Sequence, residues 1–280
     1  MALSFPMSDI AIVVAVSLLI CATVCTLAME AAVIFTPAFL FLFPAITSQF
    51  PPLTPNGAIG LSMVIEFFGY TSSVLGYWYR GQIRWPIVGA AIILTIPMAL
   101  VLRFFSYLIK PVGLLAVFGI LLLLLGGFLY GTRRRIIHGE GVFPNNRSFA
   151  SLDRTAFAMA GALAGLVGIG VGEIVNTLFL TRKRLPVRLS VGTSAAILHL
   201  TIFSAMLFNV LLLQWQPAGL HTEAIVIPWG LAVIIAPTVI VGGQIGAFLN
   251  SWLPQGVIVK TLVSMYVLIG LGVLGQVLWG

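Results

Sequence analysis

The residues able to do chemistry in this chain are few, and most lie in apolar surroundings. The densest group follows a run of glycines at 161, 165, 168, 170 and 172, with Glu173 and Asn176 directly behind, in GALAGLVGIGVGEIVNTLFLTRKRLPVRLSVGT from Gly161 to Thr193. Glycine holds a helix interior weakly, so the cluster predicts very close backbone packing or a local break. A break at membrane depth frees peptide N–H and C=O groups, which persist there only if buried in protein or lining a polar cavity. A carboxyl at the centre of a membrane helix costs roughly 2.5–3.5 kcal/mol on insertion scales unless it is protonated, solvated or paired. Glu173 is therefore the leading candidate for binding and releasing a proton. Its structural alternatives are a neutral carboxyl hydrogen-bonded across helices and an interfacial one near Arg182.

Glu30 occupies the matching junction of an earlier short apolar pair, where it serves either the same chemistry or as the cap of a turn. Glu66 lies in VIEFFGYTSS, seven residues ahead of Ser73 and eleven ahead of Tyr77, and these could form one polar stripe. Peptide N–H groups freed near Gly170, Gly172 and Glu173 would favour an anion, because half-helix N-termini carry positive partial charge. Asn176, Thr193 and Ser194 could add hydrogen bonds to such a substrate. His199, alone in AAILHLTIF, reads first as a packing residue and second as a pathway residue.

Several chemistries are excluded. There is no GxxxxGK[ST] or HExxH, the glycines of GIGVGE do not belong to a βαβ unit, and the only aspartates, Asp9 and Asp153, lie outside the apolar spans. No enzyme, cofactor or metal site is expected. Cys21 and Cys25, one turn apart, suit neither a disulfide nor a metal and read as small packing residues.

The elements that must hold these residues follow from composition. Of 280 residues, 60% are hydrophobic and 8% charged, against roughly a quarter charged in soluble domains. An all-α polytopic membrane protein is the class that fits, with lipid as its surroundings and no nucleic-acid partner despite the +7 charge. Apolar runs at 10–27 and 31–46 are short, and the second is interrupted by Pro37 and Pro44; runs at 58–79, 86–102 and 108–130 are full spans. The segment 155–181 is again a short broken pair, and 189–213, 224–249 and 257–279 are full spans. The chain thus reads as a repeat at 1–130, a cytoplasmic linker at 131–154 and a second repeat at 155–280. AIGLS at 58–62 and SVGTS at 190–194, each a few residues after a proline, support the correspondence. With no Lys or Arg before Arg80, the first run lacks the basic start of a cleaved leader and is expected to remain.

Basic groups at Arg80 and Arg84, Arg133 to Arg135 with Arg147 and Arg154, and Arg182 to Arg188 fall on one side if both termini are outside, with Arg103 and Lys110 as the exceptions. The two repeats are then inverted, the arrangement that exposes a central site alternately to each side. The charge pattern leaves open whether the short pairs cross or turn back, and it does not fix the oligomeric state.

The segments GIGVGEIVN at 168–176, LPVRLSVGTS at 185–194 and AIGLSMVIEFFGYTSSVLGYWYRGQI at 58–83 resemble the sulfite exporter (TauE/SafE) family of membrane transporters. The layout resembles that family over nearly the whole chain. Family members usually carry a glycine-rich run where this chain has TLAMEAAVIFTP at 26–37. The resemblance implies a bacterial inner-membrane secondary transporter that exports sulfite, a sulfonate such as sulfoacetate, or a related organic anion. A proton-coupled carrier is the expectation; a passive anion channel and a non-transporting membrane scaffold are the alternatives.

Overall fold

The computed structural model describes residues 6–48, 50–138, 151–183, 185–215 and 228–279. The central part of the expected linker, with Arg147, and the segment at 216–227, with His221, lie outside the described residues. The fold is all-α. Helices α1 (Met7–Leu27), α2 (Ala32–Ile46), α3 (Pro55–Tyr79), α4 (Trp85–Ser106) and α5 (Pro111–His138) make the first half. Helices α6 (Ser151–Val167), α7 (Val171–Thr181), α8 (Val187–Trp215), α9 (Trp229–Trp252) and α10 (Gln255–Trp279) make the second. Seven of these, α1, α3, α4, α5, α8, α9 and α10, are long and apolar enough to cross a membrane among the described residues.

Both short pairs fold back on themselves. At the base of the second, the Asp153 carboxylate at the start of α6 meets Lys183 at 2.7 Å and Arg182 at 3.5 Å just past the end of α7. At the base of the first, Asp9 near the start of α1 accepts from the Ser48 amide at 2.9 Å and its hydroxyl at 2.8 Å, just past α2. The tips differ in chemistry. Helix α6 ends because Gly168 takes φ +76°, open to glycine without a Cβ penalty. Helix α1 ends because Ala28 takes φ 52°, a conformation an alanine adopts only under the constraint of its surroundings.

Small residues set the packing directions. On α6, Gly161 and Gly165 face the backbone at Thr95 and Ala99 of α4, so the two helices run parallel. On α9, Gly242 and Gly246 face Cys21 and Cys25 of α1, again in parallel, and the cysteines fill a seam that larger side chains would force apart. Exchanging the halves maps one contact onto the other. Helices α4 and α8 also run parallel, tied by Thr95 to Thr201 at 2.8 Å and Arg103 to Asn209 at 2.7 Å. Helices α3 and α8 run antiparallel, with Phe67 stacked on His199 and Phe203 and Met63 reaching Asn209. Helix α3 is the most enclosed span, its apolar window 78% buried.

Three features differ from the sequence expectation. Helix α1, expected as half of a short pair, runs 21 residues and is long enough to cross a membrane. Arg103, expected between two spans, lies inside α4 and is fully buried. Helix α5 continues to His138 and α6 begins at Ser151, so helical backbone enters the expected linker from both sides.

Candidate functional site

The tips of the two folded-back pairs meet, and each supplies what the other lacks. Where α7 begins, the Gly170 and Val171 amides precede any helical acceptor, and both donate to the Glu30 carboxylate, Val171 at 3.1 Å. Gly170 also donates to Glu173 at 3.0 Å. Across the junction the Glu30 amide donates to Glu173 at 2.9 Å, and the next amide, Ala31, donates to Glu66 at 2.9 Å. Glu30 and Glu173 therefore exchange places, each carboxylate satisfying the broken backbone of the opposite tip. A carboxylate at a helix N-terminus is favoured by the exposed N–H groups and the helix dipole together.

All three carboxylates are buried, and none is within ion-pair reach of a Lys or Arg among the described residues. Glu30 and Glu173 accept from the same Gly170 amide, which brings two acidic groups together with no cation to offset them. The second oxygen of Glu66, Oε2, has no hydrogen-bond partner. This is an arrangement on which the presence of one proton more or less changes which hydrogen bonds can form.

Close approach explains the glycines. A Cβ on Gly172 would lie 2.6 Å from the Ala28 carbonyl oxygen, 2.9 Å from Leu198 and 3.1 Å from the Glu30 amide. A Cβ on Gly168 would lie 3.1 Å from both Ala32 and Ile59. Five residues at 171–175 form a wider π-type turn carrying Glu173, and 38–42 in α2 form another just after Pro37. Such turns are rare overall and frequent at functional positions.

The remaining candidates are distributed unevenly. Asn176 is close to the junction: its amide group donates to the Leu27 carbonyl at the end of α1 at 3.4 Å, and its oxygen accepts from Ser190 at 2.6 Å. Thr193 instead accepts from the Arg84 amide at 3.1 Å, in the turn between α3 and α4. Ser194 donates back to its own helix at Ser190. His199, half-buried on α8, stacks on Phe67 at 5.5 Å with its Nδ1 unpartnered. Two tyrosines belong to the junction as well. Tyr70 donates to the Met29 carbonyl at 2.5 Å, just past α1, and Tyr77 donates to the Cys25 carbonyl in its last turn, so α3 satisfies acceptors around the end of α1. Tyr70 lies one turn beyond Glu66, which is the spacing by which a polar stripe on α3 reveals it.

An all-α bundle with two folded-back pairs meeting tip to tip, buried carboxylates at the junction and seven apolar spans defines a polytopic membrane transporter. The model of the sulfite exporter TauE/SafE family matches residues 9–273, and the chain belongs to that family. It is 24% identical over 251 residues, 85% of this chain and 87% of the relative, to the probable membrane transporter protein YunE of Bacillus subtilis (strain 168). No solved structure matches. The chain is accordingly a membrane transporter and not an enzyme.

Proposed function

We propose that this protein exports a small anion, sulfite, a sulfonate such as sulfoacetate or a related organic anion, across a bacterial inner membrane by alternating access coupled to protons. The observation that carries the reading is the exchange of Glu30 and Glu173 across the two tips. The Gly170 and Val171 amides are the donors a compact anion would take, and in this conformation a carboxylate of the protein holds them. A negative Glu30 competes with the anion for those donors; a neutral one releases them. The anion therefore enters with a proton, and for a monoanion the two move without net charge. Glu173 and Glu66 hold the opposite tip and let the same exchange proceed from the other side.

The halves, taken as 1–130 and 155–280 about the linker, act as inverted repeats in this reading. What supports inversion is that α3 and α8, which correspond, run antiparallel, and that α1 runs with α9 as α6 runs with α4. Both termini are then periplasmic, and the short pairs re-enter from opposite faces. Gly170, Gly172 and Asn176 form the anion site; Thr193 and Ser194 join it only after α8 shifts.

Counterflow in proteoliposomes tests the proposal. Vesicles loaded with sulfite, and then with a small sulfonate, are expected to show saturable exchange with half-saturation rising as pH rises. Glu173→Gln and Glu30→Gln are expected to abolish the pH dependence. Unchanged exchange and pH dependence in both variants would remove the coupling role, and flux without counterflow would mark a channel.

A further inference from the structure

Arg103 is the one fully buried cation in the described structure whose charge no acid offsets. Its Nε donates to Asn209 Oδ1 at 2.7 Å, and its guanidinium lies over the Tyr107 ring, 5.1 Å from the centroid. Tyr107 donates its hydroxyl to the same Asn209 oxygen at 2.5 Å. Nη1 and Nη2, the two arms of the fork, have no acceptor, although the residue is 0% exposed. A buried charge left unpaired is among the most disfavoured arrangements a side chain can adopt, and an arginine fork with both arms free matches the two oxygens of a carboxylate, sulfonate or sulfite. Asn209 and Tyr107 are engaged in aiming that fork. The positions are also far apart in sequence and come from two helices, α4 and α8, that run parallel.

The group connects to the junction of the two tips. Asn209 donates its Nδ2–H to Met63 Sδ at 3.5 Å, and Met63 lies three residues before Glu66 on α3. The Met63 methyl lies 3.9 Å from where a Cβ on Gly168 would sit. We propose that Arg103, held by Asn209 and Tyr107, is a second oxyanion site on the transport route, which takes the anion between the end of α4 and the carboxylate junction. This rests on the anion-transport reading and adds to it a forked recognition element: substrates with two coplanar oxygens on one centre bind there, and halides do not.

The test uses the full chain, purified in a phosphate-free neutral detergent, and reads the thermal unfolding midpoint against added methanesulfonate, sulfite or chloride. The two oxyanions are expected to raise the midpoint saturably, and chloride at equal ionic strength is not. Arg103→Lys keeps the charge and removes the fork, and is expected to raise the half-saturating concentration at least about tenfold, the scale of one charge-assisted hydrogen bond. Asn209→Asp sets a carboxylate against the guanidinium and is expected to do the same, which carries the test if the lysine variant does not fold. Unchanged oxyanion binding in either folded variant overturns the proposal. Stabilisation by dihexanoyl phosphatidylglycerol alone, with no response to methanesulfonate or sulfite, also overturns it and makes Arg103 a lipid contact. Absent counterflow with intact Arg103-dependent binding would instead defeat the transport reading, and intact counterflow with unchanged binding in both variants would defeat this site alone.

Discussion

At the scale of single residues, glycine is required at the junction for two different reasons. Gly172 is a question of space: adding one methyl drives it onto the Ala28 carbonyl and the Glu30 amide, neither of which can move without opening the first tip. Gly172→Ala is expected to cost about 1–3 kcal/mol, as overpacking of a rigid site does, and to lower the unfolding midpoint and abolish exchange. Gly168 is a question of backbone: at φ +76° an alanine carries a left-handed penalty of roughly 1–2 kcal/mol even before it meets Ala32 and Ile59. Gly127, exposed on α5 with open space around its Cα, supplies the control. Gly127→Ala is expected to leave exchange unchanged and to hold or slightly raise the midpoint, and a loss there as large as at Gly172 would show that the junction has no special packing.

At the scale of elements, each short pair is pinned at its base and satisfied at its tip by another element. The second base rests on Asp153, buried at 1% exposure, with Lys183 and Arg182 as partners. Lys183 is only partly exposed and Arg182 about half, so solvent weakens the second contact more than the first. Asp153→Asn is expected to loosen the α6–α7 pair locally, read as faster hydrogen exchange over 168–181 with α3 and α9 unchanged. Equal protection in wild type and variant would mean that packing against α4 through Gly161 and Gly165 suffices to hold the pair. The tips have no such independence, because the amides of α7 are satisfied by Glu30 from the other half, and the amides at 30 and 31 by Glu173 and Glu66. A change at either tip therefore alters the hydrogen bonding of both.

At the scale of the whole molecule, the described conformation is closed at its centre, with Ile169 and Val171 fully buried between the tips. A carrier must open this junction to each side in turn. A cysteine introduced at Ile169 or Val171 is expected to resist a water-soluble thiol reagent without substrate and to react faster when sulfite or a sulfonate is present. Permanent protection, with or without the anion, would favour a packed scaffold over a pathway.

Much of this was legible in the chain itself. Hydropathy alone establishes the all-α membrane class, because a helix satisfies its polar groups within one continuous apolar run, whereas a barrel strand is shorter and alternates apolar with polar residues. The glycine run and Glu173 mark the second break, and Glu30 and Glu66 stand out because acidic residues in apolar spans are costly. Local signals of that kind depend only on what a residue costs in its own segment. Which partner relieves the cost depends on contacts between residues more than a hundred positions apart, as Glu30 and Gly170 are, and no spacing rule reaches across that distance. Arg103 shows the same division: its charge and its place near the end of an apolar run suggest a loop, whereas the parallel pairing of α4 with α8 buries it against Asn209. The sequence determined that this is a membrane bundle with acidic groups at broken helices; only the tertiary structure decided that the two breaks meet and hold each other's carboxylates, because a hydrogen bond between separate helices exists only once packing has brought them together.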